Sequence, residues 1–384
     1  MAAPYREAMK MRFIAWGAYD DSKPRVRLLL DALRRSDRLE AELHVPVWRD
    51  VADKSVAGKR QLLRAALRYI SGMPRALWKL LRAEGDAPLL LPYPGTPDIF
   101  AAKGLALFKP RKLVLDAFLP IHDTIVRDRR MVPEGGLKAR FLRVFERAGL
   151  RCADVILVDT DAHGEFLARE YAIPADRFVT VPVGAEPLFD PRAELPKVDH
   201  LIPQEDGSPV VLFYGQFIPL HGLSTILEAV RLTQDDPIRW VIVGKGQEEP
   251  VMRHFLADKA SSKLFWLPWV DYERLPALIA RVDLCLGIFG GSDKASRVIP
   301  NKVFQCLAMG KPVVTRSGPA VDALAARYPQ NLVTVPPEDP PALADAVRNA
   351  LANPEALSAL PMGAMEDFSP EAGVARLVAK LGDA

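Results

Sequence analysis

Lys302 sits in the first turn of a short helical run, where a cation is out of place, and glycine-bearing loops recur upstream of it; these residue types together suit the binding of a phosphate. In the run Val298 to Thr315, Pro300 occupies a position tolerated at a helix start and apolar residues recur at helical spacing. Gly310 supplies the stop, and Lys311-Pro312 leads into a β-branched strand. A cation in the first turn opposes the helix macrodipole by roughly 0.3–1 kcal/mol unless an anion neutralises both. A bound phosphate resolves that conflict; a lysine snorkelling to solvent is the plain alternative. Three further loops carry the same chemistry: Gly215 to Gly222, Gly244-Lys245-Gly246-Gln247, and Gly290-Gly291-Ser292-Asp293-Lys294. Glycine permits close backbone approach, and the helix following Gly222 is expected to offer free amides. Glycines and cations at successive strand ends would form an anion cradle.

The elements that must position these loops read as alternating strands and helices. Arg12 to Trp16 is a short apolar run closed by Gly17, and Val26 to Leu33 follows with helical spacing. Leu89 to Leu91, Leu113 to Leu115, Val155 to Val158 and Phe178 to Val181 are further short apolar runs. A second series starts with Val210 to Tyr214, continues through helix Leu223 to Leu232 and strands Trp240 to Val243, Leu264 to Leu267 and Leu284 to Phe289, and ends in strand Leu332 to Val335. The pattern predicts two consecutive α/β domains with parallel sheets and helical crossovers. The proline-rich and polar passage from Pro182 to Ser208 is the expected linker, placing the domains at 1–195 and 196–384, with a last helix over 369–382. In such sheets ligands bind beyond the carboxyl ends of the strands, which is where the four glycine and lysine segments fall.

Three phrases carry a family resemblance: Phe-Tyr-Gly-x-Phe-x-x-x-x-Gly from Phe213, Val-Gly-x-Gly from Val243, and Pro-Asn-Lys-Val-Phe-x-x-Leu-Ala-x-Gly-Lys-Pro-Val-Val from Pro300. They resemble the donor domain of group 1 (family 4) glycosyltransferases, and Val181 to Pro191 is similar to that family's link into the donor domain. The resemblance implies a GT-B fold: two Rossmann-like domains facing a cleft, a nucleoside-diphosphate sugar held by the second, an acceptor by the first, and a final helix crossing back to the first domain. It implies Gly215, Gln216, His221, Gly244, Gly246, Gly290, Gly291, Lys294, Arg297, Asn301, Lys302 and Gln305 as donor-binding positions. It also implies departures. Gln216 and His221 stand where the family usually has an arginine and a lysine, and Arg297 and Gln305 stand near its paired glutamates. Lys294, Arg297 and Lys302 are the cations left to stabilise a diphosphate leaving group. On the acceptor side the resemblance points to Asp116 and His122, after the strand Leu113 to Leu115, as the acid or imidazole touching the sugar. Each could equally be a loop-capping residue. Gly17 would let the acceptor loop approach the sugar. Asp159-Thr160-Asp161 spells a metal motif of a different glycosyltransferase fold, yet it lies between a strand and a helix and reads as an N-cap. No essential metal is expected.

Composition bounds the partners. The chain has 384 residues, 49% hydrophobic and 26% charged, with three well-separated cysteines that read as reduced core residues. No apolar run is long enough for a membrane span, and the N-terminus lacks a signal-peptide pattern, so a cytoplasmic location is expected. Residues 1–200 carry 34 Lys and Arg against 27 Asp and Glu, whereas the remainder carries 17 against 21. Within the first half, Lys59, Arg60, Arg64, Arg68, Arg75, Lys79 and Arg82 meet no acidic residue and alternate with leucines, Ile70 and Trp78. This basic amphipathic stretch, expected to be interrupted at Gly72 and Pro74, suits either a surface helix pair or peripheral docking on an anionic membrane. A glycan or lipid-linked acceptor, as in polysaccharide biosynthesis, fits that charge. Nucleic acid does not, since no basic run is interleaved with stacking aromatics. Two rivals share the architecture: a nucleotide-sugar epimerase and a non-catalytic sugar-nucleotide or glycan-binding protein. A dinucleotide dehydrogenase is disfavoured because no Gly-x-Gly-x-x-Gly follows the first strand of either half.

Overall fold

Short apolar runs separated by helical stretches assemble into two parallel sheets in the computed structural model, which describes residues 11–49, 58–198, 201–202, 207–258, 263–353 and 366–382. The first sheet comprises β1 (Phe13–Gly17), β2 (Leu39–His44), β3 (Leu89–Leu91), β4 (Leu113–Asp116), β5 (Val155–Val158) and β6 (Phe178–Thr180), in the order β2-β1-β3-β4-β5-β6. The second comprises β7 (Val210–Tyr214), β8 (Arg239–Val243), β9 (Leu264–Leu267), β10 (Leu284–Leu286), β11 (Val313–Arg316) and β12 (Leu332–Val335), in the order β12-β11-β10-β7-β8-β9. Parallel neighbours require crossovers, and helices supply them. In the first half these are α1 (Pro24–Arg35), α2 (Lys59–Arg82), α3 (Ile99–Ala106), α4 (Leu137–Cys152) and α5 (Asp161–Tyr171). The second half has α6 (Leu223–Leu232), α7 (Glu249–Ala257), α8 (Leu275–Ala280), α9 (Asp293–Arg297), α10 (Asn301–Ala308), α11 (Pro319–Arg327) and α12 (Pro340–Ala352), and α13 (Pro370–Gly382) ends the chain.

The chain divides into one compact unit of Met1–Val183 with Asp367–Ala384 and a second of Gly184–Glu366. The break thus falls before the polar stretch 194–208, of which 199–200 and 203–206 lie outside the described residues. In the first unit the sheet is buried on both faces. Trp16, Leu91, Leu115 and Ile156 face a core shared with Ala65 and Leu80 of α2 and Leu167 of α5. Phe13, Leu90, Val114 and Val155 face the other way, onto Leu29 of α1 and Val374, Leu377 and Leu381 of α13. The last helix therefore belongs to the first core although the second unit precedes it in sequence. Gly373 allows this packing, because a Cβ there would lie 2.5 Å from Val181 Cγ1. In the second unit Phe213, Trp240, Ile242 and Leu286 pack against Leu223 and Ile226 of α6 and Leu343 and Val347 of α12.

Two local features differ from the sequence reading. Apolar runs do not mark β2, whose Leu-Glu-Ala-Glu-Leu-His alternation places it at the sheet edge with only partial burial. The expected interruption at Gly72 and Pro74 does not occur: α2 is one helix through both. Gly72 serves close packing instead, since a Cβ on it would stand 2.5 Å from Val45 Cγ1. Ala65, Met73, Ala76 and Leu80, buried on either side of Pro74, hold the helix together across the missing N–H.

Leu377 is fully buried between α1 and the sheet. Leu377→Ala is expected to cost the first unit about 2–5 kcal/mol in urea unfolding. Amide exchange in α1 should accelerate while exchange in α6 stays unchanged.

Candidate functional site

The strands β10, β7 and β8 are neighbours, so the loops after them meet at one end of the second sheet. Gly215, directly after β7, donates its N–H to Val243 O at 2.9 Å and has φ +151°, a region where L side chains are rare. A Cβ there would stand 2.9 Å from Lys302 Nζ and 2.8 Å from His221 Cε1, and a Cβ on Gly244 would stand 1.9 Å from Gly215 O. Gly215 and His221 of one loop, Gly244 and Lys302 are thus brought together from three parts of the sequence. Gly246 packs with equal closeness on the Phe217 backbone, its added Cβ falling 2.9 Å from Phe217 N. The turn 219–221 in turn lies on Gly290, whose N–H donates to Leu220 O at 3.2 Å.

Lys302 is the unusual member. Its helix begins at Asn301, which is half-buried, with Pro300 as the N-cap, so the lysine occupies the first turn. The side chain is 6% exposed, and Nζ lies 4.0 Å from the centroid of the Phe213 ring. Nζ has no hydrogen-bond partner. Burial lowers its pKa from the ordinary 10.5 to about 7. An ammonium held by an aromatic face without an anion is poised to accept one.

Other predicted donor positions have protein partners. Gln305 donates from Nε2 to the Tyr272 hydroxyl at 2.8 Å and accepts at Oε1 from the Tyr214 hydroxyl at 2.8 Å. Tyr272 also donates to Glu186. Both ends of this amide are engaged, so Gln305 ties the strand end to the chain after Gly184 rather than opening toward a ligand. The Gly291 N–H donates to Glu338 Oε1 at 3.2 Å. The amides expected to be free after Gly222 are likewise engaged at their start, because the Glu248 carboxylate accepts from the Leu223 N–H. Burial raises the Glu248 pKa. His221 donates from Nδ1 to Gln216 O and meets the Phe213 ring edge-on at 5.6 Å. Lys294 and Arg297 are buried on α9, which rests on the 219–221 turn through Ala295 against Leu220. Arg297 pairs with Asp293 at 3.0 Å. Arg316, unremarked in the sequence, donates to Gly290 O at 2.6 Å and so fixes that loop. Its position at the carboxyl end of β11 was the available signal.

In the first unit Asp116 is engaged within the protein. Both its oxygens face Arg25, whose Nη2 lies 2.9 Å from Oδ1, and the two side chains are almost wholly buried. Arg25 also donates to Val181 O, so this pair locks α1 to β4 and to the chain after β6. Gly17 has a nearer reason than an acceptor: a Cβ on it would stand 2.3 Å from Asp98 Oδ2. That carboxylate accepts from Ala18 N at 2.7 Å, while its other oxygen accepts from the Tyr69 hydroxyl at 2.8 Å; burial raises its pKa to about 6. His122 is buried, and its Nδ1 has no partner. Burial, and then the charge of Arg127, push its pKa below the ordinary value, so the ring is neutral at pH 7. Glu146, missed in the sequence because its partners are 24 and 25 residues away, accepts from the backbone of His122 at 3.2 Å and from the Tyr171 hydroxyl at 2.6 Å. In Asp159-Thr160-Asp161, Thr160 caps α5 by accepting from His163 N at 3.1 Å, Asp159 meets His163 Nδ1 at 2.6 Å, and Asp161 accepts from Thr180.

Residues 208–353 match the family model for glycosyl transferases group 1, and residues 15–184 match that for a glycosyl transferase 4-like domain. WcaI of Escherichia coli (strain K12), which carries the name colanic acid biosynthesis glycosyl transferase, is 27% identical over 228 residues, covering 58% of this chain and 55% of WcaI. The alpha-D-kanosaminyltransferase of Streptomyces kanamyceticus is 25% identical, covering 55% of this chain and 54% of that protein. The matched spans thus take in about half the length of these curated relatives. Among solved structures, HepE of Anabaena in complex with UDP superposes with a TM-score of 0.68 at 13% identity, covering 97% of this chain and 100% of HepE. Sucrose-phosphate synthase of Thermosynechococcus elongatus gives a TM-score of 0.64 at 16% identity, covering 97% of this chain and 98% of that one. The two six-stranded sheets have the GT-B fold of these structures.

The buried ammonium makes a pH-dependent prediction. An unfolded Lys302 holds its proton up to 10.5, whereas the folded one releases it near 7. The cost of its charge to the fold is therefore full below pH 7 and fades as pH rises toward 10.5. Lys302→Met should be more stable than the parent by a few kcal/mol at pH 6, with the gain shrinking steadily by pH 10, as read from urea unfolding across pH.

Proposed function

Because the chain belongs to the group 1 glycosyltransferases, with a family 4-like first half, we propose that it transfers a sugar from a nucleoside-diphosphate sugar to a glycan or lipid-linked acceptor, with retention of configuration and without an essential metal ion. The observation that carries this reading is the unpartnered ammonium of Lys302 beside Gly215 and Gly244. A diphosphate leaving group accumulates charge as the glycosidic bond breaks, and a preorganised cation in a dry site stabilises that charge strongly. Lys302 takes this role, and Lys294 and Arg297 add positive field from α9. Gly215, Gly244, Gly246 and Gly290 let the backbone approach the phosphates, with Gln216, His221 and Asn301 at their margin. His122, neutral and with a free ring nitrogen, accepts a hydrogen bond from a sugar hydroxyl. Asp116 is reassigned from a reacting group to a positioning one, and Gly17 shapes the loop after β1 through Asp98. The basic helix 59–82 brings the protein to an anionic membrane on the cytoplasmic side, where a lipid-linked acceptor resides.

A second reading, binding of a sugar nucleotide without transfer, draws on the uncharged Gln216 and the engaged amide of Gln305. Release of nucleoside diphosphate that depends on acceptor separates it, and the epimerase, from transfer.

UDP is the first nucleotide to test, since HepE is seen with it. UDP at about one hundred times its Kd should stabilise the protein by roughly 2.7 kcal/mol, with EDTA present or absent. Lys302→Ala should abolish that stabilisation and lower turnover about a hundredfold. Binding at pH 8.5 should take up close to one proton, seen as a buffer-dependent calorimetric heat, because the phosphate restores the lysine's charge. Wild-type UDP affinity in Lys302→Ala, or no proton uptake on binding by the parent protein, would refute the assignment.

A further inference from the structure

Helix α2 carries three stripes, only one of which the fold uses. At about 100° per residue, Ala65, Met73, Ala76 and Leu80 form a stripe on the core. Leu63, Leu67, Ile70, Trp78 and Leu81 form a second stripe roughly a third of a turn away, and all are exposed, Ile70 by 68%. Arg60, Arg64, Arg68, Arg75, Lys79 and Arg82 form the third. A surface helix normally keeps its second face polar, so the exposed apolar stripe is unaccounted for by folding. Arg82 lies over the Trp78 ring at 3.9 Å, an aromatic and cation pair of the kind suited to a lipid headgroup layer.

The apolar surface continues beyond this helix. Lys109 donates to Leu81 O at 3.4 Å and to Ala83 O, which brings the preceding Leu107 and Phe108 to the end of α2. Phe108 is 86% exposed. Phe100 of α3 meets Phe145 of α4 at 5.2 Å, and Phe145 stacks with Phe141 at 6.1 Å. On α4, Leu137, Phe141 and Val144 recur at helical spacing and are all exposed, Phe141 by 67%. Lys138, Arg140 and Arg147 on the same helix add cations there.

We propose that the α2 apolar stripe, the Leu107-Phe108 tip and the exposed apolar stripe of α4 form one composite face that inserts into an anionic lipid bilayer. This extends, and rests on, the reading of 59–82 as a membrane-docking helix. Charge complementarity selects the occupant. A second copy of the chain would set the six cations of the α2 stripe against their own kind, whereas anionic headgroups neutralise them while acyl chains take the leucines and phenylalanines.

The test is co-sedimentation of the full chain with vesicles of phosphatidylcholine, with and without phosphatidylglycerol. Wild type should partition onto the phosphatidylglycerol vesicles and little onto phosphatidylcholine alone, with binding weakened by salt. Ile70→Ser with Trp78→Ser, and separately Phe108→Ser with Phe141→Ser, should each lower the partition coefficient about tenfold while urea unfolding stays at the wild-type midpoint. Wild-type partition by the Phe108/Phe141 variant would overturn the composite face and leave the helix reading standing. Failure of the wild type to bind phosphatidylglycerol vesicles would overturn both. A dimer in light scattering that the same serine variants dissociate would overturn the bilayer as occupant. UDP binding by all these variants should match wild type, so loss of the sugar-transfer reading would register separately.

Discussion

A buried ammonium without an anion is the constraint around which the second unit is arranged. Lys302 Nζ rests on the Phe213 ring and against Gly215, and among the described residues it has no hydrogen-bond partner. Such a charge is costly to keep, and the cost appears directly as a pKa near 7. Gly215 has no side chain because one would strike that ammonium, and Gly244 has none because one would strike Gly215. The glycines are consequences of where the cation stands.

Around that point, polar groups of suitable chemistry turn out to be engaged in holding the backbone. Gln305 bridges two tyrosines, Gly291 faces Glu338, and Glu248 takes the first amide of α6. In the first unit Asp116 and Arg25 join three parts of the chain through one buried ion pair. Removing one partner of such a pair leaves an uncompensated buried charge, worth about 3–5 kcal/mol. These networks keep the strand ends rigid. Among the described residues, Lys302 Nζ, His122 Nδ1 and Glu248 Oε2 are buried polar atoms that these networks leave without a partner.

The first unit meets a different demand. Its sheet is covered on both faces, so α2 needs only one of its three stripes for the core. The surplus apolar stripe and the apolar stripe of α4 are left exposed. A helix that buries one stripe, bares another and charges the third carries more apolar surface than the sheet beneath it uses.

Much of this was legible in the chain itself. Apolar runs alternating with helical spacing specify two parallel sheets, because period and run length are local properties. The phrase around Lys302 likewise marked a cation in a first turn, which depends only on where the helix starts. β2 escaped that reading because an edge strand needs no continuous apolar run, and the continuity of α2 through Pro74 was decided by burial on both sides of it. What only tertiary structure could decide is which polar side chains are already engaged. Asp116 meets an arginine 91 positions away, and Gln305 meets Tyr214 at the same separation. Hydrogen-bond satisfaction is a property of neighbours in space, and sequence spacing carries no trace of it at that range.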